Sequence, residues 1–593
     1  MPTVILTGPP VPGSPLEGDL RSLGFDVRSV PEPADAAAAL AAVPADQRVA
    51  VVDSAFVGHA HTLRLALTDP RFEACAVTGA LTVQPAARGA LDKAAAAPAG
   101  QASGPYADQL AAALEGAGTP VRHPELGTLV AAVPATEAER ADAAAAVAAV
   151  DEEAVRLRTA VKSRDGFFTT FFISPYSRYI ARWCARRGLT PNQVTTASLI
   201  TALIAAGCAA TGERWGYVAA GVLLLVSFVL DCTDGQLARY SLQYSTMGAW
   251  LDATFDRAKE YAFYAGLALG ATRNGDDVWA LALGAMILMT CRHVVDFSFN
   301  EANHDATANT SPTAALSDRL DSVGWTVWVR RMIILPIGER WAMIAVLTAV
   351  TTPRTVFYAL LIGCAFGALY TTAGRVLRSL TRKATRTDRA AQALADLADS
   401  GVLAWSRPPR PARHRPGYSS LLMAAAGTVL MVGAAVTRDF GTPWLIATAL
   451  TYAIFAGGAV DAPLKGTLDW LIPPLFRAAE YVTVLVLAAK ADVPGALPAA
   501  FGLVAAVAYH HYDTVYRIRG GSGAPPRWLV RATGGHEGRV LLAVVLAAAL
   551  PRDAFPVALT AMAVYVALVV LVESIRFWVS SGAPAVHDEG EPA

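Results

Sequence analysis

Long apolar segments recur through the last two thirds of this 593-residue chain, and they limit its fold more than any other feature. We place six of them before and six after a polar stretch, at 193–211, 216–231, 249–271, 277–298, 340–352, 354–374, 419–436, 442–461, 470–490, 494–512, 537–551 and 556–579. A helix needs roughly 20 mostly apolar residues to cross the hydrocarbon core of a bilayer. Charged residues make up only 17% of the chain, whereas a soluble domain has about 25%. The sequence therefore predicts a mainly α-helical polytopic membrane protein with two six-helix transmembrane bundles, and it excludes a soluble enzyme and a disordered scaffold.

Basic residues cluster before the first span, between the fourth and fifth spans, and in the polar stretch at 375–418. Because Lys and Arg are enriched in cytoplasmic loops, we expect these segments to be cytoplasmic. We thus predict a multi-pass protein of the cell (inner) membrane, with its active site and N-terminal domain facing the cytoplasm. The 49 basic and 49 acidic residues cancel, so the charge predicts no nucleic-acid partner.

Residues 1–150 lack a segment of membrane length and alternate between short strand-like and helix-like patterns. This alternation predicts an α/β layered cytoplasmic domain. The loop Gly8-Pro9-Pro10-Val11-Pro12-Gly13 follows the first predicted strand, but its prolines donate no N–H groups and it has no basic side chain. Asp53 ends another predicted strand, where a helix cap or a solvated end is favoured over a metal ligand. We therefore expect this domain to be non-catalytic.

Residues 151–188 combine a charged helical pattern with a second, aromatic and basic one. The second pattern mixes Phe, Tyr and Trp with Arg178, Arg182, Arg186 and Arg187. Such a composition is typical of an amphipathic helix that lies in the membrane interface, here before the first span.

Four aspartates surround the junction of the second and third spans, in DCTDGQLARYSLQYSTMGAWLDATFD at 231–256. Asp231 and Asp234 are three residues apart and Asp252 and Asp256 are four apart, so each pair lies on one face of its helix. Four carboxylates that converge near a membrane would repel one another without a counter-charge. Oxygen-only ligands suit Mg²⁺ or Mn²⁺, and two such ions are a common clamp for displacement at phosphorus. The sequence therefore predicts a two-metal site.

Two further residues between the aspartate pairs fit a phosphate ligand. Gly235 would allow close approach of the backbone to a phosphate, and Arg239 offers a forked donor for a diphosphate oxygen. The alternative is a cation channel or transporter with an acidic ring, in which the glycines and the arginine would have no role.

The pattern D-x2-D-G-x2-A-R-x8-G-x3-D-x3-D, with all eight of its fixed positions present, resembles the signature of CDP-alcohol phosphotransferases. The resemblance covers about 160–380 and includes KSRDGFFTTFF and LTPNQVTTASLI, which are similar to members that make inositol-phosphate diesters. It implies that Asp231, Asp234 and Asp252 ligate metal, and that Asp256 contacts metal and acts as general base. It also implies that Gly235, Arg239 and Ser245 contact the CDP group, with Asn192 and Thr195 nearby. Some members carry an N-terminal cytidylyltransferase, so 1–150 is interpreted as a nucleotidyltransferase-like relic.

Basic residues on the predicted cytoplasmic side are candidates for binding a phosphorylated acceptor. Arg292 and His293 lie in the cytoplasmic half of the fourth span, where a buried arginine is a functional candidate. Arg330 and Arg331 follow in the next loop, and Arg375 ends the sixth span. For these last three, snorkelling to the membrane interface is an equally good interpretation.

The last third of the chain resembles a decayed copy of the middle third. WLDATFDRAKEY at 250–261 aligns with WLIPPLFRAAEY at 470–481, so that Ile472 and Phe476 replace two aspartates. An apolar pair cannot bind metal, and we expect this copy to be catalytically inactive; the alternative is a chance alignment of two alanine-rich blocks. Members of the resembled family pair two six-span copies, so the protein is expected to be a monomer with an internal pseudo-dimer, or a homodimer. The predicted organisation is an α/β domain at 1–150, connecting and interfacial helices at 151–188, a catalytic membrane domain at 189–380, a basic linker at 381–418, a degenerate six-span domain at 419–580 and an acidic tail at 581–593.

These patterns and the resemblance together predict an integral-membrane transferase of phospholipid biosynthesis. It would move a phosphatidyl or phosphoryl-alcohol group from a CDP-alcohol to a small hydroxyl or phosphorylated acceptor, with release of CMP and with Mg²⁺ or Mn²⁺ as cofactor. CDP-diacylglycerol is the favoured donor because a lipid donor explains a membrane site. The alternatives are a soluble CDP-inositol-type donor and, in another class, a non-catalytic transporter or scaffold.

Overall fold

The computed structural model describes residues 2–32, 35–96, 104–162, 165–305, 328, 332–381, 385–405 and 418–580, and most of them are helical. Their contacts divide the chain into two units. The first comprises the described residues of 1–163, 176–191 and 233–245, and the second comprises those of 164–175, 192–232 and 246–593. The predicted acidic tail at 581–593 lies outside the described residues.

The first unit contains a six-stranded sheet with the strand order β2-β1-β3-β6-β5-β7 and a separate pair, β4-β8. The strands are β1 Thr3–Thr7, β2 Asp26–Val30, β3 Val49–Asp53, β4 Val57–Gly58, β5 Ala74–Val77, β6 Ala80–Val83, β7 Val121–Arg122 and β8 Ala131–Ala132. β1 pairs in parallel with β2 and β3, while β6 runs antiparallel to both β3 and β5. The register of the central pair places Val4 opposite Ala50.

Helices cover both faces of this sheet: α1 Leu16–Ser22, α2 Ala36–Ala41, α3 Ala60–Thr68, α4 Arg88–Ala96 and α5 Tyr106–Gly116. Two further helices follow, α6 Glu137–Ala148, which contacts β4, and α7 Glu152–Thr159. Alternate residues of β3 enter opposite cores: Val51 packs in the core that includes α2, α4 and α5, and Val52 packs in the core that includes α1 and α3. Burial on two faces explains why β1 and β5 are apolar runs rather than alternating patterns.

The middle of the chain folds into a series of helices, most of them long. A π-helical turn at Thr169–Ile173 precedes α8 Ser174–Arg186, and then follow α9 Pro191–Ala210, α10 Arg214–Ser241, α11 Thr246–Arg273, α12 Trp279–Asn303, α13 Ile337–Val350 and α14 Pro353–Thr381. α9 and α14 begin with proline, which suits the first turn because its missing N–H would have no helical partner there. We call α9–α14 the first block.

The described residues of the last third form six further helices at predicted spans and three shorter helices. They are α15 Asp388–Ala398, α16 Val402–Trp405, α17 Ser419–Thr437, α18 Pro443–Val460, α19 Ile472–Ala491, α20 Ala496–Arg519, α21 Arg527–Thr533, α22 Gly535–Ala549 and α23 Phe555–Ser580. We call α17–α20, α22 and α23 the second block. α15 and α16 lie within 381–418, which we interpreted from the sequence as a basic linker.

A helix is present at each of the twelve predicted spans. Within the described residues, eight helices are long and apolar enough to cross a membrane, and these contain α9, α10, α12, α14, α17, α18, α19 and α23. The other four predicted spans correspond to α11 and α20, which carry several charged residues, and to α13 and α22, which have only 14 and 15 residues. Length and composition thus agree with a polytopic membrane protein.

The two blocks pack against each other within the second unit, mainly through α11 and α12 of the first block. The Trp279 ring meets Phe501 edge-on with a centroid separation of 5.6 Å, and Phe299 meets Trp470 edge-on at 5.2 Å. These four side chains are at most 7% exposed, so the contact is a closed apolar interface.

Candidate active site

A short turn at 242–245 separates α10 from α11 and reverses the chain within the predicted motif. Leu242 adopts a left-handed φ of 53°, the conformation that commonly ends a helix, and the amide of Gln243 donates to the Ala238 carbonyl. One carboxylate oxygen from each of Asp231, Asp252 and Asp256 lies within 4.8 Å of the others. The structure therefore brings together three of the four predicted metal ligands.

Lys259 also belongs to this cluster, and the sequence interpretation missed it. Its Nζ donates to Asp231, lies 2.9 Å from Asp256 Oδ1 and lies 3.2 Å from Ser198 Oγ on α9. The side chain is completely buried. The signal was present in the sequence, because Lys259 follows Asp256 by three residues and so shares its helix face.

The three carboxylates suit a hard divalent cation. Mg²⁺ and Mn²⁺ prefer oxygen ligands, and no sulfur or imidazole belongs to the group. Asp252 is exposed whereas Asp231 and Asp256 are half-buried, so the cluster has an open side through which a ligand can enter. The donor set fits the predicted metal.

The fourth predicted ligand, Asp234, and three of the predicted CDP-binding residues, Gly235, Arg239 and Ser245, belong to the first unit. Asp234 lies one turn beyond Asp231 on α10 and is 4% exposed. Arg239 folds back over Gly235, since a Cβ on that glycine would lie 3.5 Å from its guanidinium, and its Nε donates to the Ala160 carbonyl at 2.6 Å. Ser245 is exposed in the turn before α11.

The C-terminal end of α10 is held by α7 and α8 within the first unit. Tyr240 donates its hydroxyl to Glu153 at 2.9 Å, and the Arg156 guanidinium lies 3.6 Å from the centre of the Tyr240 ring. Arg156 Nε also donates to the Tyr240 carbonyl, and Ser177 donates to Gln236 at 2.8 Å. These contacts were not predicted, because the charged stretch before α8 gave no indication of a partner.

Asn192 and Thr195 lie in the first turn and a half of α9. Thr195 is buried, and it precedes Ser198 by three residues, so it shares the helix face that reaches Lys259. Asn192 accepts from the Thr196 hydroxyl through its main-chain carbonyl and is half-buried.

The predicted acceptor residues differ in their surroundings. Arg292 is 7% exposed and donates from Nη2 to the Ile334 carbonyl, while its Nε and Nη1 have no hydrogen-bond partner among the described residues. Arg375 forms an ion pair with Asp296. His293 hydrogen-bonds to Tyr512 of the second block rather than to a group beside Arg292. Arg330 and Arg331 lie outside the described residues.

A buried ion-pair network stands beside the carboxylate cluster. Glu260 is 2.8 Å from Arg257 and 3.1 Å from Arg340 at the start of α13, and it accepts from the Tyr264 hydroxyl at 2.6 Å. The side chain of Glu260 is 1% exposed. The pairing satisfies a buried carboxylate that would otherwise be costly to the fold.

The second block contains the same network without the carboxylate cluster. Glu480 is 2.8 Å from Arg477 and 2.5 Å from Arg539 near the start of α22. Arg477 and Glu480 align with Arg257 and Glu260, and Arg539, like Arg340, comes from the start of a later helix. Ile472 and Phe476 replace the two aspartates and are fully buried, with the Phe476 ring stacked on His536 at 4.2 Å. Equivalent contacts at equivalent positions support an internal duplication.

Comparison with known proteins matches two segments of the chain to families. Residues 188–369 match the CDP-alcohol phosphatidyltransferases, and residues 388–593 match a family of unknown function (DUF5941). Apolar helices and an oxygen-ligand site are what a membrane-embedded transferase of substituted phosphate groups requires. Residues 188–369 are a CDP-alcohol phosphatidyltransferase domain, as the sequence motif predicted.

Curated relatives carry related names. The chain is 31% identical over 115 residues to the archaetidylinositol phosphate synthase of Pyrococcus horikoshii, which is 19% of this chain and 58% of that protein. It is 32% identical over 131 residues to the phosphatidylinositol phosphate synthase of Streptomyces avermitilis, 21% of this chain and 51% of that protein. It is 30% identical over 128 residues to the bifunctional IPC transferase and DIPP synthase of Aquifex aeolicus, 21% of this chain and 29% of that protein. The matches thus span less than two thirds of each of these relatives.

Proposed function

We propose that this chain is a multi-pass membrane transferase that moves a phosphatidyl or phosphoryl-alcohol group from a CDP-alcohol to an acceptor hydroxyl and releases CMP. The observation that carries the proposal is the convergence of Asp231, Asp252 and Asp256 between two helices of a CDP-alcohol phosphatidyltransferase domain. A transporter or scaffold would not need these carboxylates together with the glycine and arginine of the motif.

Asp231, Asp252 and Asp256, with Asp234 as a fourth ligand, would hold Mg²⁺ or Mn²⁺. When bound, these ions would neutralise charge on the diphosphate of the donor. Gly235, Arg239, Ser245, Asn192 and Thr195 would surround the CDP group. Arg239 suits this position because a guanidinium can bind two phosphate oxygens at once.

Asp256 would act as the general base. Its carboxylate would remove the proton of the acceptor hydroxyl, and that oxygen would form a bond to the phosphorus that bears the alcohol. The bond from this phosphorus to the bridging oxygen would break, and CMP would leave with that oxygen on its phosphate. Lys259, 2.9 Å from Asp256 Oδ1, keeps the carboxylate oriented toward the cluster.

CDP-diacylglycerol is the proposed donor, in phospholipid biosynthesis. Two of the helices that contribute to the site, α9 and α10, are long and apolar enough to cross a membrane, and the names of two relatives denote phosphatidyl and archaetidyl products. A soluble CDP-inositol-type donor is the second candidate, because the Aquifex aeolicus relative is named as an IPC transferase and DIPP synthase.

The proposed acceptor carries a phosphate, such as an inositol or glycerol phosphate. Arg292 supports this proposal because two nitrogens of its buried guanidinium have no partner among the described residues. Arg375 is the second candidate contact, whereas the bond of His293 to Tyr512 removes it from this proposal.

We further propose that the site lies on the cytoplasmic side of the inner membrane. We also propose that the domain at 1–150 is non-catalytic. The loop at 8–13 packs against Ser54, whose Oγ donates to the Pro9 carbonyl at 2.7 Å. A Cβ on Gly8 would lie 3.0 Å from the same Oγ, so this contact leaves little room for a ligand at Gly8. Asp53 accepts from the Ala55 amide at 2.8 Å, which supports a turn-capping role.

A donor panel with the purified full-length chain in nanodiscs tests the proposed substrate. CDP-diacylglycerol and CDP-inositol would each be supplied with Mn²⁺ and a phosphorylated or unphosphorylated inositol acceptor, and CMP and the product would be quantified. We expect CMP and a phosphatidylinositol phosphate from the lipid donor and the phosphorylated acceptor. Turnover with CDP-inositol alone would replace this donor by the second candidate, and no turnover with any donor would contradict the proposed class.

A further inference from the structure

The carboxylate cluster contains a positively charged side chain, that of Lys259. Lys259 Nζ contacts Asp231 on α10, Asp256 on its own helix and Ser198 Oγ on α9. Its side chain is completely buried, so water does not screen the ammonium. One lysine thereby connects three helices at the point where metal ligands converge.

Comparison of α11 with the aligned helix of the second block distinguishes the role of Lys259 from the roles of Arg257 and Glu260. The second block retains the ion-paired arginine and glutamate of this helix, with the same contacts. It has Ala479 at the position of Lys259, and Ile472 and Phe476 at the positions of the aspartates. Within this chain, the lysine and the carboxylates are therefore lost together, while the residues that hold the fold remain. Lys259 serves the carboxylates rather than the packing of the helix.

Electrostatics give the lysine two opposite effects. Without metal, the ammonium compensates Asp231 and Asp256, which would otherwise repel each other in a poorly solvated site. With metal, the same positive charge opposes the divalent ion, and at a few ångströms in an environment of low dielectric constant this repulsion is large.

We propose that Lys259 is a positioning residue and internal counter-cation: it holds Asp231 and Asp256 at ligand spacing in the metal-free site and sets a weaker affinity for the divalent ion. The inference rests on the proposed metal site, and it concerns how strongly that site binds the ion.

Mn²⁺ binding by the full-length chain in nanodiscs tests this proposal without any turnover. The dissociation constant would be measured by electron paramagnetic resonance of free Mn²⁺, and the melting temperature would be measured in EDTA and in Mn²⁺. The variants are Lys259→Met, which removes the charge, and Lys259→Arg, which keeps it. Lys490→Met is the matched control, because Lys490 in the second block donates to the Val436 and Arg438 carbonyls and lies outside the carboxylate cluster.

We expect Lys259→Met to bind Mn²⁺ at least about tenfold more tightly than the wild type, because a repelling charge is gone. It should melt at a lower temperature in EDTA and regain more stability from Mn²⁺ than the wild type does. Lys259→Arg and Lys490→Met should retain the wild-type dissociation constant. Equal or weaker Mn²⁺ binding by Lys259→Met would overturn the proposal.

A charge-balanced variant keeps the test decisive if Lys259→Met does not fold in EDTA. The double variant Asp231→Asn/Lys259→Met removes one negative and one positive charge, and we expect it to fold in EDTA. Failure of this double variant to fold would show that Lys259 acts through packing and would overturn the proposal. A wild-type chain that binds no Mn²⁺ would overturn the proposed metal site as well, whereas unchanged affinity in Lys259→Met overturns this inference alone.

Discussion

At the scale of single residues, Arg292 is the strongest candidate for acceptor recognition. Its buried guanidinium is satisfied at one nitrogen by the Ile334 carbonyl, and the other two nitrogens have no partner among the described residues. We expect Arg292→Ala to raise the KM for a phosphorylated acceptor by about ten- to hundredfold and to change the KM for the CDP donor much less. Arg354→Ala is the control, since this exposed arginine pairs with Asp276. Equal increases for both substrates would contradict a role in acceptor binding.

His61 gives the first unit a predicted pH dependence. It is 2% exposed, and neither ring nitrogen has a hydrogen-bond partner in the part of the chain that the structure describes. Burial, followed by the charges of Arg156, Arg64 and His59, lowers its pKa to about 4. Because the folded state disfavours the charged ring, its contribution is fully present above pH 6.5 and is lost as the pH falls toward 4, by up to about 3 kcal/mol. Hydrogen exchange of 2–162 between pH 7 and 4 should show this loss in the wild type and a shallower one in His61→Phe. Identical pH profiles would exclude His61 as the cause.

The sequence was informative about residues that carry a spacing pattern and uninformative about residues defined by tertiary contacts. The aspartates could be predicted because intervals of three and four residues place them on helix faces. Lys259 was missed because its spacing from Asp256 shows a shared helix face but not whether the lysine is buried against the carboxylates. The contacts of Tyr240 with Glu153 and Arg156 join segments more than 80 residues apart, and a single sequence does not reveal such pairs.

At the scale of elements, the apolar runs located helices well, since length and hydropathy govern both membrane insertion and helix formation. The polar stretch at 381–418 was interpreted as a linker because its basic residues dominate the composition. The structure instead has α15 there, with Ala390, Leu394 and Leu397 buried on one face. Their spacing of three and four was visible in the sequence, but the surrounding charge obscured it.

Asp399 ends α15 and anchors it in the second block. It has a left-handed φ of 51°, and its carboxylate lies 2.7 Å from Arg539 and 3.2 Å from His510. Asn tolerates this backbone conformation, so Asp399→Asn removes mainly the charge and should lower the free energy of unfolding by about 3–5 kcal/mol. Asp388→Asn, at a side chain 95% exposed beside Lys465, should lower it by less than about 1 kcal/mol. Unfolding in an SDS titration measures both, and equal losses would contradict the anchoring role.

At the scale of the whole molecule, the second block packs on α11 and α12, the surface through which we expect two copies of the first block to pair in a homodimer. Trp279, Phe299, Phe501 and Trp470 close this contact within one chain. We therefore expect an active monomer, with one carboxylate site per chain. Native mass spectrometry from nanodiscs should give one 62.1 kDa chain in the particles that release CMP. Activity confined to dimers joined through 249–298 would contradict this expectation.

The central claim is that the carboxylate cluster catalyses metal-dependent release of CMP, and one assay tests it most directly. Purified wild-type and Asp256→Asn chains in nanodiscs would receive CDP-diacylglycerol and a phosphorylated acceptor, with Mn²⁺ or with EDTA. We predict that the wild type releases CMP only with the metal and that Asp256→Asn is slower by at least about a hundredfold, because it lacks the general base. CMP release by Asp256→Asn at the wild-type rate, or release by the wild type in EDTA, would contradict the account.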